Sequence, residues 1–422
     1  MSNNIMLMCG DIEVLEFNFS TDIYNVKCER LLPFGLKGKI VTTVRPTIPD
    51  MKLFDKYNSG IRTNYNAVVS WLASRTLLLS RYNAKKIYNA IGFNQEDTPE
   101  NKARISITCR SVSILDNYWL RLDGDTSTWQ SINVRHNSLN ETVAQVALHG
   151  SSISIQGSLT TPELTTDGVY PKAWRRYPDN TLWLHKADQI IEGKAMIEVM
   201  CSNILDKMNV QHCHYEIGTD GGKQVCKCKA LTDDKHSIVP ALDYLKYCKA
   251  NNIDFIKSIM DVDRDAIYKM CIVDYLIANN DRHSRNWGFL YKPSTMELIG
   301  CHPLFDHNNS FDPKWLANRN AEYRFNGKSM RDTAKSAMEE IDFHFTYSIT
   351  RDDFLTDEQY EEFMWRANDL GIQVKRTYDD EILSLLNKYI IPLHIKEVKS
   401  LLPTMELPYV ELEEIVKNIY TL

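Results

Sequence analysis

The chain has 422 residues, 43% of them hydrophobic and 25% charged, a balance typical of a globular protein and a length sufficient for two cores. With 49 Lys and Arg against 55 Asp and Glu, the net charge of −6 gives no basic field for sequence-independent nucleic-acid binding, so no direct nucleic-acid contact is expected. No apolar run approaches the ~20 residues that span a bilayer, and MSNNIMLMCGDIEVLEF lacks a basic flank and a long apolar core; the expectation is a cytoplasmic protein with no membrane partner.

Residues 1–148 have a character of their own and read as an α+β domain. DIEVLEFNF and IYNVKCERLL have the pattern of strands, and Pro46 and Pro49 break the chain after them. Val68, Trp71, Leu72, Leu78 and Leu79, then Ile87 and Ile91, recur at helical intervals with Gly92 as a stop, which predicts two helices. Trp119 and Trp129 follow among charged residues, either as a contact surface or as anchors of a small core, the commoner fate of a tryptophan. Beyond a boundary near Gly150, SISIQGSLT alternates apolar and polar residues like a half-exposed strand. TPELTTDGVYPKAWRRYPDN then reads as a long connection before the strand TLWLHKAD, and connections of this length are commonly functional.

Lys186 lies late in that strand. In the helix after it, Ile197, Met200, Cys201, Ile204, Leu205 and Met208 form one apolar stripe with Glu198 alongside. A glutamate in that place can orient the lysine toward nucleotide phosphates; the plain alternative is a surface pair with Lys194. HCHYEIGTDGGKQVCKCKAL reads as a hairpin across TDGG, with VCKCKAL leading on to the next unit. His212, Cys213, His214, Cys226 and Cys228 do not follow the usual zinc spacings, and core packing is the better account of the cysteines.

PALDYLKYCKANNIDFIKSIM is helical in pattern, and Asp261, Asp263 and Asp265 open the helix that delivers the stretch from Cys271 to Phe311. That stretch passes through a polar loop with Asp281, His283 and Asn286, two short strands, WGFLY and ELIGC, and a second loop centred on Asp306. Phosphoryl transfer needs a carboxylate near the attacking hydroxyl and oxygen ligands that hold Mg²⁺ against the phosphates of ATP. Asp281 precedes Asn286 by the interval between base and metal ligand in protein-kinase catalytic loops, and a hairpin then leads to a further Asp, as it does there. After Phe311 helices predominate: Thr356 with Gln359 makes a capping box, Gly371 a stop and VELEEIVKNIY a last amphipathic helix, while FHFTYSI reads as packing.

DYLIANNDRHSRNWGFL followed by PLFDHNNSF resembles the catalytic core of HipA-like serine/threonine kinases, whose DRHxxN loop is shared with phosphoinositide-kinase-like enzymes. TTDGVYPKAWR resembles the phosphate loop of that family, and SVSILDNYWL is similar to a segment upstream of the kinase core in a Gram-positive branch of it. The resemblance implies Asp281 as catalytic base, His283 as a residue that orders its loop, and Asn286 and Asp306 as Mg²⁺ ligands. It also implies that Thr165, Thr166, Asp167 and Gly168 cradle the phosphates of ATP, with Lys186 and Glu198 as the pair beside them.

The implied fold is α+β and two-lobed, kinase-like: an extra N-terminal domain at 1–148, an N-lobe at 149–232 and a mostly helical C-lobe at 233–422. The implied activity is ATP- and Mg²⁺-dependent transfer to a protein Ser or Thr, with self-phosphorylation at Thr165 or Thr166 as an off-switch. Family members often serve as the toxin of a toxin–antitoxin pair, whose partner is a small DNA-binding antitoxin. Rival readings are a lipid or small-molecule kinase, an adenylyl transferase, or a non-catalytic nucleotide-binding scaffold. Asp281, Asn286 and Asp306 occurring together argue against the scaffold.

Overall fold

A computed structural model describes residues 4–43, 51–93, 96–153, 155, 157–166, 168–187, 193–316, 327–344 and 349–372. Three antiparallel sheets organise them. Strands β1 (Ile5–Cys9), β2 (Ile12–Asn18) and β3 (Ile23–Val26) come first in the chain. Helices α1 (Met51–Ala73), α2 (Ala84–Ala90) and α3 (Pro99–Thr108) follow, then β4 (Tyr118–Leu122), which completes a sheet in the order β3-β2-β1-β4. Trp119 on β4 is fully buried with its Nε1 donating to the Gly10 carbonyl, so it is a core anchor; Trp129, in the short helix α4 (Trp129–Ile132), is half-buried against the same cluster. Helix α5 (Glu141–His149) ends on Gly150, whose φ of +68° closes it in the left-handed conformation that glycine adopts freely.

The second sheet, β5-β6-β8-β7, is built from β5 (Lys172–Arg176), β6 (Leu182–Ala187), β7 (Glu216–Asp220) and β8 (Lys223–Lys229), with α6 (Lys194–Lys207) between β6 and β7. Two expectations are corrected here. The described residues of SISIQGSLT form no strand, because no neighbouring strand offers them a ladder; Ile155 and Leu159 instead pack onto the cluster around Leu77 and Leu164. Conversely, KAWRR, expected inside a connection, is strand β5, paired with β6 in a register that sets Lys172 opposite Lys186. The hairpin across Gly221 and Gly222 is present, but VCKCK is the paired strand β8, and the link onward is the loop after it.

The third sheet, β11-β10-β9, consists of β9 (Ser237–Pro240), β10 (Gly288–Lys292) and β11 (Glu297–Cys301). Between β9 and β10 run α7 (Ala241–Ala250) and α8 (Phe255–Leu276). The pattern read as one helix is thus two, broken at NNID, where Asp254 caps α8 by accepting from the Lys257 amide. Asp263 departs from helical geometry (φ −160°, ψ 75°) and accepts from the Ala266 amide, so a fresh helical start sits within the DVDRD run. Helices α9 (Pro313–Leu316), α10 (Met330–Met338) and α11 (Asp357–Asp369) follow; Thr356 and Gln359 cap α11 reciprocally, and Gly371 follows its end with φ +74°. Phe343 and Ile349 are core residues and His344 is exposed, while residues 345–348 and the VELEEIVKNIY segment lie outside the described residues.

The architecture is α+β with two lobes meeting at the loop between β8 and β9, and the N-terminal section is packed against both. Phe34 inserts edge-on among Tyr244, Tyr247 and Tyr291 at centroid distances of 5.3–5.8 Å. Leu115 accepts from the Ile238 amide at 2.7 Å, and Ile114 accepts from the Thr232 hydroxyl, so SVSILDNYWL lies along the inter-lobe link. Arg75 forms a two-pronged pair with Asp116 (2.6 and 2.9 Å), donates to Ser111 and stacks on Trp71. Removing one member of such a pair strands the other charge in the interior. Arg75→Ala is therefore expected to lower unfolding free energy in urea by about 3–5 kcal/mol; a change within ~0.5 kcal/mol would show that the pair does not tie this section together.

Candidate active site

Lys186 ends up on β6 with its Nζ 3.0 Å from Glu198 Oε2 on α6 and 3.0 Å from Asp306 Oδ1. The same ammonium sits 4.8 Å over the Tyr215 ring. Glu198, fully buried, uses its other oxygen to accept from the His307 amide at 2.9 Å, so one carboxylate holds both the lysine and the loop carrying Asp306. Burial works against the charge on Lys186, but Asp306 and Glu198 outweigh it and hold its pKa well above the ordinary lysine value. Burial likewise opposes ionisation of Asp306, and Lys186 and Lys172 overcome it, holding that carboxylate well below the usual range. Lys194, the alternative partner for Glu198, instead donates to Asn309 Oδ1 at 2.9 Å and reaches Asp312 at 3.4 Å.

Asp281, His283 and Asn286 occupy the loop after α8. The Asn286 amide donates to the His283 carbonyl, and Asn286 Nδ2 donates to the Asp281 carbonyl at 3.1 Å, which leaves Oδ1 as its ligand atom. His283 is exposed, and its Nδ1 accepts from the Arg285 amide at 3.2 Å, a contact that shapes the loop. The anchor of the loop is Arg282. Fully buried, it pairs with the equally buried Asp274 and donates to the carbonyls of Asn286 (2.8 Å) and Phe305 (2.7 Å), bonding the Asp281 loop to the residue before Asp306. Asn309 is a second link: its Nδ2 donates to Asp281 Oδ2 at 2.8 Å, while its Oδ1 accepts from Lys194 and from the Tyr170 hydroxyl at 3.3 Å.

On the opposite wall, Gly168 has φ +99°, and a side chain there would collide with the Lys172 ammonium. Lys172 is buried and paired in register with Lys186, so two lysines reach this end of the cleft. Thr165 donates to the Val112 carbonyl at 2.8 Å; Thr166 donates to the Pro162 carbonyl at 2.6 Å and accepts from Trp174 Nε1. Arg81, from the N-terminal section, donates to the carbonyls of Glu163, Thr166 and Lys172, and the Tyr82 amide donates to Val169. Asp167 lies outside the described residues.

Asp281, Asn286, Asp306, Lys186, Thr165 and Gly168 all face one cavity of about 430 Å³ that reaches to the inter-lobe link at Leu231 and Thr232. Lys172, Arg81, Arg282 and Asn309 were not found by sequence reasoning. Only Arg282 carried a local signal, its place inside DRH. The donor set suits a hard divalent cation: Asp306 uses Oδ1 for Lys186 and Asn308, and its carboxylate and the Asn286 amide line the same cavity. The cysteines of VCKCK pack with Cys213, Ala195 and Tyr215 in a buried cluster.

No protein-family model and no curated protein matches the chain. Among solved structures it is similar to the Helicobacter pylori proinflammatory kinase CtkA, at 16% identity over 47% of this chain and 89% of that one, with a TM-score of 0.31. It is also similar to the Shewanella oneidensis MR-1 toxin–antitoxin system of HipA, HipB and operator DNA, at 13% identity over 98% of this chain and 95% of the matched chain, with a TM-score of 0.46.

His302 stacks on Phe305 at 4.9 Å, and its Nδ1 donates to the Pro303 carbonyl. Burial, reinforced by Arg282, lowers its pKa to about 4. The unfolded chain takes up this proton near the ordinary value of about 6.5, the folded chain only near 4, so the stability is present above the former and is lost as pH falls between them. Replacing His302 with Gln should flatten the slope of unfolding free energy against pH in that window by about 3 kcal/mol in total. An unchanged slope in urea titrations would mean the ring is charged in the folded protein.

Proposed function

We propose that the chain is a HipA-like, ATP- and Mg²⁺-dependent protein serine/threonine kinase. The observation that carries this reading is the buried network of Lys186, Glu198 and Asp306 facing Asp281 and Asn286 across a single cavity. In it, Lys186 and Lys172 hold phosphate oxygens, and Glu198 keeps Lys186 in place. Asp306 and Asn286 hold Mg²⁺, which when bound neutralises the phosphates and the charge that develops on them. Asp281 accepts the proton of the acceptor hydroxyl, and Asn309 fixes the orientation of its carboxylate. The phosphate loop closes the opposite wall and keeps water out.

The quoted sequence resemblance extends the proposal to a cytoplasmic toxin with a small DNA-binding antitoxin as partner. Self-phosphorylation at Thr165 or Thr166 belongs to the same proposal. Both hydroxyls are hydrogen-bonded, that of Thr165 to Val112 in the N-terminal section and that of Thr166 to Pro162, so phosphorylation requires the loop to leave its seat, and the added charge would then repel ATP phosphates.

Incubation with Mg²⁺ and γ-labelled ATP, followed by intact mass and peptide mapping, tests this reading and separates phosphate from AMP transfer. Wild type should gain phosphate; Asp281→Ala should lose at least ~100-fold in rate while binding ATP normally. Asn309→Ala should lower kcat by about 10-fold or more with the ATP KM little changed. Undiminished transfer by Asp281→Ala sinks the assignment.

A further inference from the structure

Cys213 of the HCH run lines the cleft, but the histidines on either side of it do not, and they meet a partner that neither their spacing nor the VCKCK cysteines indicated. Asp206, on the last turn of α6, has its Oδ1 3.2 Å from His214 Nδ1 and 3.9 Å from His212 Nε2. The three ligand atoms all lie within 4.8 Å of one another, and the two imidazoles are 4.6 Å apart. An ion bound tetrahedrally at ~2.0–2.1 Å holds its ligand atoms roughly 3.3 Å apart, so the two Asp206 separations need only sub-ångström adjustment and the imidazole nitrogens must close by at most about 1.5 Å.

His212 is oriented as a ligating histidine should be. Its Nδ1 donates to the Val210 carbonyl at 2.8 Å, which fixes the tautomer and leaves Nε2 as the acceptor, 3.9 Å from Asp206 Oδ1. Ser202, also on α6, lies 3.0 Å from Nε2 as its present donor, and its hydroxyl has a second acceptor at 3.5 Å in the Cys213 carbonyl, to which it can turn. Asp206 and His214 are exposed, with side-chain exposures of 50% and 75%, so an ion has a path in and solvent can complete its coordination.

We infer that Asp206, His212 and His214 form a binding site for a divalent transition-metal ion, of which Zn²⁺ is the type. Two imidazoles and a carboxylate select Zn²⁺, Co²⁺, Ni²⁺ or Cu²⁺ over Mg²⁺ or Ca²⁺. The site is independent of the nucleotide cleft and of the phosphotransfer reading. An ion there joins the end of α6, the helix that carries Glu198, to the segment whose Cys213 amide donates to Leu304, two residues before Asp306.

The test uses the full chain without a histidine tag. Co²⁺ is titrated by visible absorbance and displaced with Zn²⁺, for wild type and for His214→Ala and Asp206→Ala, whose exposed side chains leave the core untouched. The expected result is one equivalent of Co²⁺ with the bands of a low-coordinate N/O site, displaced by Zn²⁺, weakened at least ~10-fold in each variant and released as pH falls from about 7.5 to 5.5. Absence of binding by wild type, or variants that bind as wild type does, would overturn the inference.

Discussion

Three buried or half-buried charges, Lys186, Glu198 and Asp306, set the terms for the rest of the molecule. Removing charges from water is costly, and only tight mutual pairing with further hydrogen bonds offsets it. The triad meets that demand by drawing partners from three separate places in the chain: strand β6, helix α6 and the loop after β11. Asp306 itself sits at φ +65°, a conformation uncommon outside glycine, held there by the Lys186 contact and by the Glu198 bond to the next amide. The strain is local, and the network around it supplies the compensation.

A second buried pair organises the catalytic loop in the same way. Arg282 and Asp274 satisfy each other in the interior, and the remaining guanidinium donors bind the carbonyls of Asn286 and Phe305. Asp281 therefore projects from a loop whose backbone is fastened to both the preceding helix and the loop of Asp306. Asn309 adds a direct bond to the Asp281 carboxylate and links it to Tyr170 and Lys194. The side chains that face the cavity from these two loops are thus positioned through backbone contacts, which tolerate little displacement.

The N-terminal section is part of this device. Arg81 occupies three carbonyls along residues 163–172, Val112 receives the Thr165 hydroxyl, and Leu115 receives an amide from the inter-lobe strand. The loop around Gly168, the only glycine between Gly157 and Gly193, gains order from those external bonds.

Local features were legible because local physics produces them. The apolar stripe of α6, the capping box at Thr356 and Gln359, the Gly221–Gly222 turn and the DRHSRN loop each follow from a few neighbouring residues, and so the lysine-bearing strand, the glutamate-bearing helix and the loop of Asp281 could be placed in order. Periodicity, however, reports burial and not the identity of the partner. SISIQGSLT alternates because Ile155 and Leu159 pack on a helical cluster, and KAWRR hides its strand because both of its faces carry bulky or charged residues. Arg81, Arg282, Lys172 and Asn309 look like ordinary surface residues in the sequence; only the fold, by burying their polar atoms against distant carbonyls and carboxylates, gave them roles. The sequence determined which chemistry was available, and the tertiary structure decided which groups meet, because contacts such as Asn309 with Asp281, 28 residues apart, or Lys186 with Asp306, 120 apart, leave no trace in local pattern.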